Sequence, residues 1–235
     1  MLAHRMKKYT TDLFSPQCEL CGLTIGTSAR LSWLCEYCEL HFRPQSRCSC
    51  CGLPTVIATL ECGTCLRTPP LWQRLYCVGD YQAPLSSYVH KLKYQGQFWQ
   101  ASKLAQLLAV QIEQPAELIT CVPLHWRRHW LRGFNQSEML AISLADKLER
   151  PYQSLFRRVR ATSPQLGKNR RQRLANLRNA YIMNRSLTAK HVAIVDDVLT
   201  TGSTVQQLCK LLLDAGVKTI DIYTICRTPE PSEKR

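Results

Sequence analysis

The stretch VAIVDDVLTTGST, residues 192–204, decides the fold. Its first four residues are apolar and mostly β-branched, which reads as a buried strand over residues 191–195. Asp196 and Asp197 follow, then Val198 and Leu199, then the run Thr200, Thr201, Gly202, Ser203 and Thr204. Helical spacing resumes over residues 203–215. In open α/β sheets, ligands sit beyond the carboxyl ends of the strands, so both acids are expected at a site rather than in the core. The hydroxyls and amides around the following helix N-terminus suit a phosphate. The carboxylates can accept from the paired hydroxyls of a ribose, with a magnesium ion held nearby. No Gly-Lys-Ser/Thr occurs, so this is not a Walker loop. A plain N-cap needs one such polar residue, and here four accompany a glycine.

Working outward, strands are expected over residues 75–81, 117–124 and 219–226, and helices over 84–94, 99–112 and 135–148. Alternation of strands and helices of these lengths predicts an α/β domain with a mainly parallel, Rossmann-like sheet. Thr68-Pro69-Pro70 interrupts regular structure and reads as a linker, giving a front domain over residues 1–70 and a second over 71–235.

The front segment carries four Cys-x-x-Cys turns: Cys18/Cys21, Cys35/Cys38, Cys48/Cys51 and Cys62/Cys65. Such a turn brings two sulfurs to one ion, and two turns close a tetrahedral structural zinc site. Sequential pairing into two zinc sites fits the short loops best, with a crossed arrangement as the alternative. Gly22 and Gly52 each follow a turn's second cysteine, where a positive φ is often needed. Redox pairs do not come in fours, and four sulfurs leave no open position for catalysis. With few apolar residues, this segment needs metal for much of its folding energy. Cys50, Cys77, Cys121, Cys209 and Cys226 read as small core residues.

The formal charge is +14, and it is uneven: residues 1–70 hold seven Lys/Arg and five Asp/Glu, while 71–235 hold 24 and 12. The basic surface therefore belongs to the second part, and an anionic partner is implied there. No acid separates Glu117 from Glu138, where Arg127, Arg128, Arg132 and Gly133 occur beside Trp126 and Trp130. Arg132 and Gly133 suit a pyrophosphate, and the tryptophans suit stacking on bases. A second run from Arg157 to Arg178 includes Arg158, Arg170, Arg171 and Arg173 and again holds no acid. It either closes over a phosphate ligand or follows a nucleic-acid backbone. The N-terminus has no apolar block after its charges, and no apolar stretch is long enough for a bilayer, so a cytoplasmic chain without a membrane span is expected.

The VDDVLTTGST loop closely resembles the signature of type I phosphoribosyltransferases. By that resemblance Asp196 and Asp197 contact the ribose of phosphoribosyl pyrophosphate, and Thr200 through Thr204 cradle its 5′-phosphate. The cysteine turns, VPLHWRRHWLRGFNQS, RATSPQ…RQRLANLRNAY and this loop, in that order, resemble the ComF family and within it the GntX-like type. These are double zinc ribbons joined to a phosphoribosyltransferase-type domain. The resemblance covers nearly the whole chain. Arg132 to Gln136 match the family's RGFNQ pattern; Thr162, Gln165, Arg173 and Asn176 match its hood, while Lys168 stands where an apolar residue is expected. The family implies a role in natural transformation, namely uptake and handling of single-stranded DNA in the cytoplasm. A DNA-uptake or helicase partner would meet the zinc domain. Two alternatives stay open: a transferase of nucleotide metabolism with an unidentified acceptor, and a binding protein that keeps the ligand loop without catalysis.

Overall fold

The computed structural model describes residues 16–124, 133–159 and 180–228. The chain divides into two compact units, one ending at Arg43 and the other starting at Pro44. In the first unit, Cys18 begins a tight turn in which the Gly22 amide donates to the Cys18 carbonyl at 2.8 Å. Cys35 then caps α1 (Glu36–Glu39). Trp33, Leu34 and Phe42 are buried, with the rings of Trp33 and Phe42 6.3 Å apart. The second unit opens with a copy of the same device: the Gly52 amide donates to the Cys48 carbonyl at 2.8 Å, and Cys62 caps α2 (Gly63–Arg67).

The remaining chain forms β1 (Arg74–Asp80), α3 (Leu85–Tyr94), α4 (Gln100–Ala109), β2 (Leu118–Cys121) and α5 (Gln136–Leu148). After these come β3 (Phe156–Arg158), β4 (Tyr181–Met183), β5 (His191–Leu199), α6 (Ser203–Asp214) and β6 (Thr219–Arg227). The main sheet has the order β1-β6-β5-β2, and every pairing in it is parallel. Val192 to Val195 and Ile220 to Cys226 are buried almost without a break, as expected of a parallel sheet covered on both faces. Val192, Ile194, Ile220 and Ile222 pack with Val205, Leu208 and Leu212 of α6. The helices α3, α4 and α5 contact the sheet elsewhere. The expected α/β architecture is therefore present.

Two local features differ from the sequence reading. β5 does not stop at Val195 but continues through both aspartates to Leu199, because β6 runs on beside it and pairs Thr224, Cys226 and Arg227 with Asp196, Val198 and Leu199. The acids thus lie within the last turns of a strand, with Asp197 buried and Asp196 half-buried. A small antiparallel ladder, β3 with β4, was not anticipated, since it joins the two ends of the basic segment. Phe156 and Tyr181 anchor it in the α6-side core.

The second cysteine unit leans on the sheet. The Leu75 amide donates to the Ser49 carbonyl at 2.8 Å, and Arg47 pairs with Asp80 at 2.8 Å. Gly52 has φ +71, and a Cβ there would lie 2.4 Å from Leu75 Cδ2, so neither the turn nor the contact tolerates a side chain. Cys50, Cys77, Cys121, Cys209 and Cys226 are all buried. Among the described residues no helix is long and apolar enough to cross a membrane.

Candidate functional site

The carboxyl ends of β5 and β2 open into a cleft of about 270 Å³. Its walls bring together Asp196, Asp197, Thr200, Thr201, Gly202, Ser203 and Thr204 with Lys93, Asn135, Ser137, Arg158 and Tyr181. Gly202, at φ +71, turns the chain from strand into α6. The hydroxyls of Thr201 and Ser203 are 2.8 Å apart beside it. Asn135 caps α5 by accepting from the Ser137 amide at 3.2 Å, while its Nδ2 donates to the Val122 carbonyl at 3.2 Å. That double use fixes the start of α5 to the end of β2. It also presents the Ser137 hydroxyl, which donates to Asp196 Oδ1 at 3.0 Å.

The acid pair is asymmetric. Asp197 Oδ1 meets the Lys93 ammonium at 2.9 Å, whereas its Oδ2 has no hydrogen-bond partner among the described residues. Burial, and then repulsion from Asp197, push Asp196 up to about 7, against the pull of Lys93 and the Ser137 hydroxyl. Burial opposes the Lys93 charge, yet Asp197 outweighs it and holds the ammonium above the ordinary lysine range. Two carboxylates with one cation leave acceptor capacity unmet. The site is built to take hydroxyl donors or a cation next to a polar loop that suits an anion.

Of the remaining sequence candidates, Gly133 lies at φ +77 just before α5, and Arg157 is exposed on β3. Its neighbour Arg158 lines the cleft and stacks over the Tyr181 ring at 5.6 Å. Arg127, Arg128, Arg132, Arg170, Arg171 and Arg173 lie outside the described residues, as do Thr162, Gln165, Lys168 and Asn176. Sequence reasoning did not single out Lys93, Ser137, Trp72 or Arg227. Only Ser137 carried a local signal, through its place in the RGFNQS stretch.

The cysteines gather in the sequential pairing. Sulfurs of Cys18, Cys21, Cys35 and Cys38 form one group, and those of Cys48, Cys51, Cys62 and Cys65 another, each within 4.8 Å. Individual separations of 3.7 Å (Cys21 to Cys35, Cys51 to Cys62) and 3.9 Å (Cys48 to Cys65) match the ~3.8 Å implied by tetrahedral bonds of ~2.3 Å. Burial holds Cys38 and Cys65 above the ordinary thiol range, with neighbouring cysteines adding to it, and pushes Cys51 up to about 12. Burial also works against Cys18 and Cys62, but backbone amides override it and bring them down to about 6 and about 7. Four thiolates at this spacing need a divalent cation among them, and both groups could hold zinc.

Comparison with known proteins agrees with this geometry. The phosphoribosyl transferase domain family matches residues 135–235. A DNA utilization protein, YhgH, of Salmonella typhimurium is 41% identical, covering 90% of this chain and 96% of its own. Competence protein F of Haemophilus influenzae is 34% identical over 83% of this chain and 90% of its own. Competence protein ComFC of Streptococcus pneumoniae is 26% identical over 90% and 100%.

Proposed function

The chain belongs to the ComF family, and from that premise we propose that its cleft binds phosphoribosyl pyrophosphate with magnesium in the service of DNA utilisation. The observation that carries this reading is the cleft's composition, an acid pair, with Asp197 Oδ2 lacking a hydrogen-bond partner among the described residues, lining one cleft with a Thr/Gly/Ser loop at a helix N-terminus. Residues Thr200 to Thr204 hold the 5′-phosphate by hydroxyls and amides. Asp196 and Asp197 accept from the ribose hydroxyls, and Lys93 holds Asp197 in place through their 2.9 Å ion pair. Arg132 and Gly133 attend the pyrophosphate. Magnesium, when bound with the ligand, would offset charge on the pyrophosphate oxygens.

Zinc at the two cysteine clusters is structural in this reading. The basic residues Arg127, Arg128, Arg157, Arg158, Arg170, Arg171 and Arg173 are the candidate contacts for single-stranded DNA, in the cytoplasm. The front cysteine unit is the candidate contact for a DNA-uptake or helicase protein. Whether transfer to an acceptor follows binding is a separate question, answered by pyrophosphate release in the presence of candidate acceptors.

Isothermal titration of phosphoribosyl pyrophosphate with magnesium tests the ligand. The wild type should bind, and Asp197→Asn should weaken binding at least tenfold. Absence of binding to a zinc-loaded, folded wild type would sink the reading. The DNA reading is tested by fluorescence anisotropy on labelled single strands across salt. Charge reversal at Arg157 and Arg173 should flatten the slope of log affinity against log salt. An unchanged slope removes those residues from the DNA contact.

A further inference from the structure

Two side chains join the second cysteine cluster to the phosphate loop. Arg227 closes β6 opposite Leu199 and is buried, 5% exposed. Its Nε donates to the Cys51 carbonyl at 2.8 Å. Its Nη1 donates to the Leu199 carbonyl at 3.3 Å and to the Thr200 carbonyl. One guanidinium therefore spans the metal-binding turn and the loop. Trp72 makes a parallel link: its indole N–H donates to the Cys50 carbonyl at 2.7 Å, while its ring lies against Gly202, where a Cβ would come within 2.9 Å of it. Both carbonyls at the end of the Cys48–Cys51 turn are thus tied to groups that contact the loop.

The consequence follows from peptide geometry. In a trans peptide the C=O and N–H point in opposite directions. With the carbonyls of Leu199 and Thr200 turned onto Arg227, the amides of Thr200 and Thr201 point away from it. Successive amides facing one way make an anion cradle. The Leu199 carbonyl also accepts from the Thr228 amide at 3.0 Å, so Arg227 acts chiefly on the Thr200 carbonyl. Arg227 is in turn anchored on the Cys51 carbonyl, which is fixed when Cys48 and Cys51 share one ion with Cys62 and Cys65.

We propose that Arg227 and Trp72 act as a strut, through which the metal at Cys48, Cys51, Cys62 and Cys65 sets the conformation of the phosphate loop. Both are positioning residues. For its ligand the proposal rests on the sugar-phosphate reading of the cleft; for the strut itself it does not. Linkage makes the effect reciprocal: the factor by which metal tightens ligand binding is the factor by which ligand tightens metal binding.

Hydrogen exchange read by mass spectrometry on the full chain separates the two halves. Zinc removal by a chelator should raise exchange in a peptide covering residues 199–206 at least tenfold, while residues 192–195 inside β5 stay protected. In zinc-loaded Arg227→Gln/Trp72→Phe the loop should already exchange fast, and zinc removal should add nothing. A loop that ignores zinc removal in the wild type, or that responds equally in the variant, overturns the strut. Where the metal-free chain loses protection throughout β5, zinc-loaded Arg227→Gln decides alone: with two zinc equivalents and a protected β5, an unchanged loop overturns the proposal.

The ligand arm uses ribose 5-phosphate, which lacks a pyrophosphate that would chelate zinc. It should slow chelator-driven zinc release about tenfold in the wild type and not in the variant. Binding without any effect on zinc release overturns the linkage. Failure of ribose 5-phosphate to bind, with the exchange result intact, supports the strut and removes only the sugar-phosphate reading.

Discussion

Replacing Asp196 by asparagine removes one of two carboxylates at the end of β5 while keeping the oxygen that accepts from the Ser137 hydroxyl and the Asp197 amide. The Lys93–Asp197 pair is left in place. In the folded wild type, Asp196 is raised from 3.8 to about 7, so the native state holds its proton more tightly than the unfolded chain. The stability linked to that proton is fully present below pH ~4 and is lost as pH rises through ~7. At about 1.4 kcal/mol per unit, the total loss is about 4 kcal/mol, of which about 3 kcal/mol falls between pH 5 and pH 8. Asparagine cannot ionise, so Asp196→Asn should gain on the wild type across this window by about 3 kcal/mol, or roughly 6–12 °C in melting midpoint for a chain of this size. The assay is denaturation of zinc-loaded wild type and variant at half-unit pH steps, because titrating groups that do not interact with Asp196 cancel in the difference. The same variant should bind phosphoribosyl pyrophosphate about 10- to 100-fold more weakly, since a charge-assisted hydrogen bond of about 1.5–3 kcal/mol is lost. A stability gap that stays flat or narrows from pH 5 to pH 8 refutes the reasoning, whatever happens to binding.

Lys93→Met strands a buried Asp197 carboxylate whose partner stood at 2.9 Å; denaturation at pH 7.5 should show a loss of about 3–5 kcal/mol, and a loss under 1 kcal/mol would deny the pair its role. Gly202→Ala forces a side chain into a φ of +71 and against the Trp72 ring. It should cost about 1–3 kcal/mol and abolish ribose 5-phosphate binding by titration; retained affinity would mean that the loop does not hold the phosphate. Cys62→Ser should reduce bound zinc from two equivalents to one by metal analysis. Two retained equivalents would show that Cys62 is not needed to hold the ion.

The site was legible where its chemistry is local. The run from Asp196 to Thr204 encodes strand end, turn and helix start in consecutive residues, and the cysteine spacing favours the sequential grouping that the sulfurs adopt. What the sequence conceals is pairing between distant segments. Lys93 reads as one more exposed helix lysine, because Asp197, which draws it into the cleft, lies on another element. Arg227 reads as a charged residue ending an apolar strand; its acceptors belong to Cys51, Leu199 and Thr200. The β3–β4 ladder is invisible to local pattern, since its strands are three residues each and flank the whole basic segment. The prolines at 69 and 70 mark where regular structure stops. What the second cysteine turn rests on is decided instead by the Ser49 carbonyl, Arg47 and Gly52 against β1.

The charges within the cleft also bear on which anion it takes. A polyanion entering there meets Asp196 and Asp197, with Lys93 already engaged by Asp197. A DNA strand brings phosphates but no vicinal hydroxyl pair, so it would add repulsion and leave the Asp197 Oδ2 acceptor without a donor. A ribose phosphate brings both: an anionic end for the Thr/Gly/Ser loop and two hydroxyls for the acids, within one small molecule that suits about 270 Å³. Among the proposed DNA contacts, Arg158 is then the exception that serves the cleft: alternation along β3 leaves Arg157 exposed while Arg158 turns inward over Tyr181. Substituting Arg157 should then affect DNA and spare the sugar phosphate, whereas substituting Arg158 should affect the sugar phosphate first.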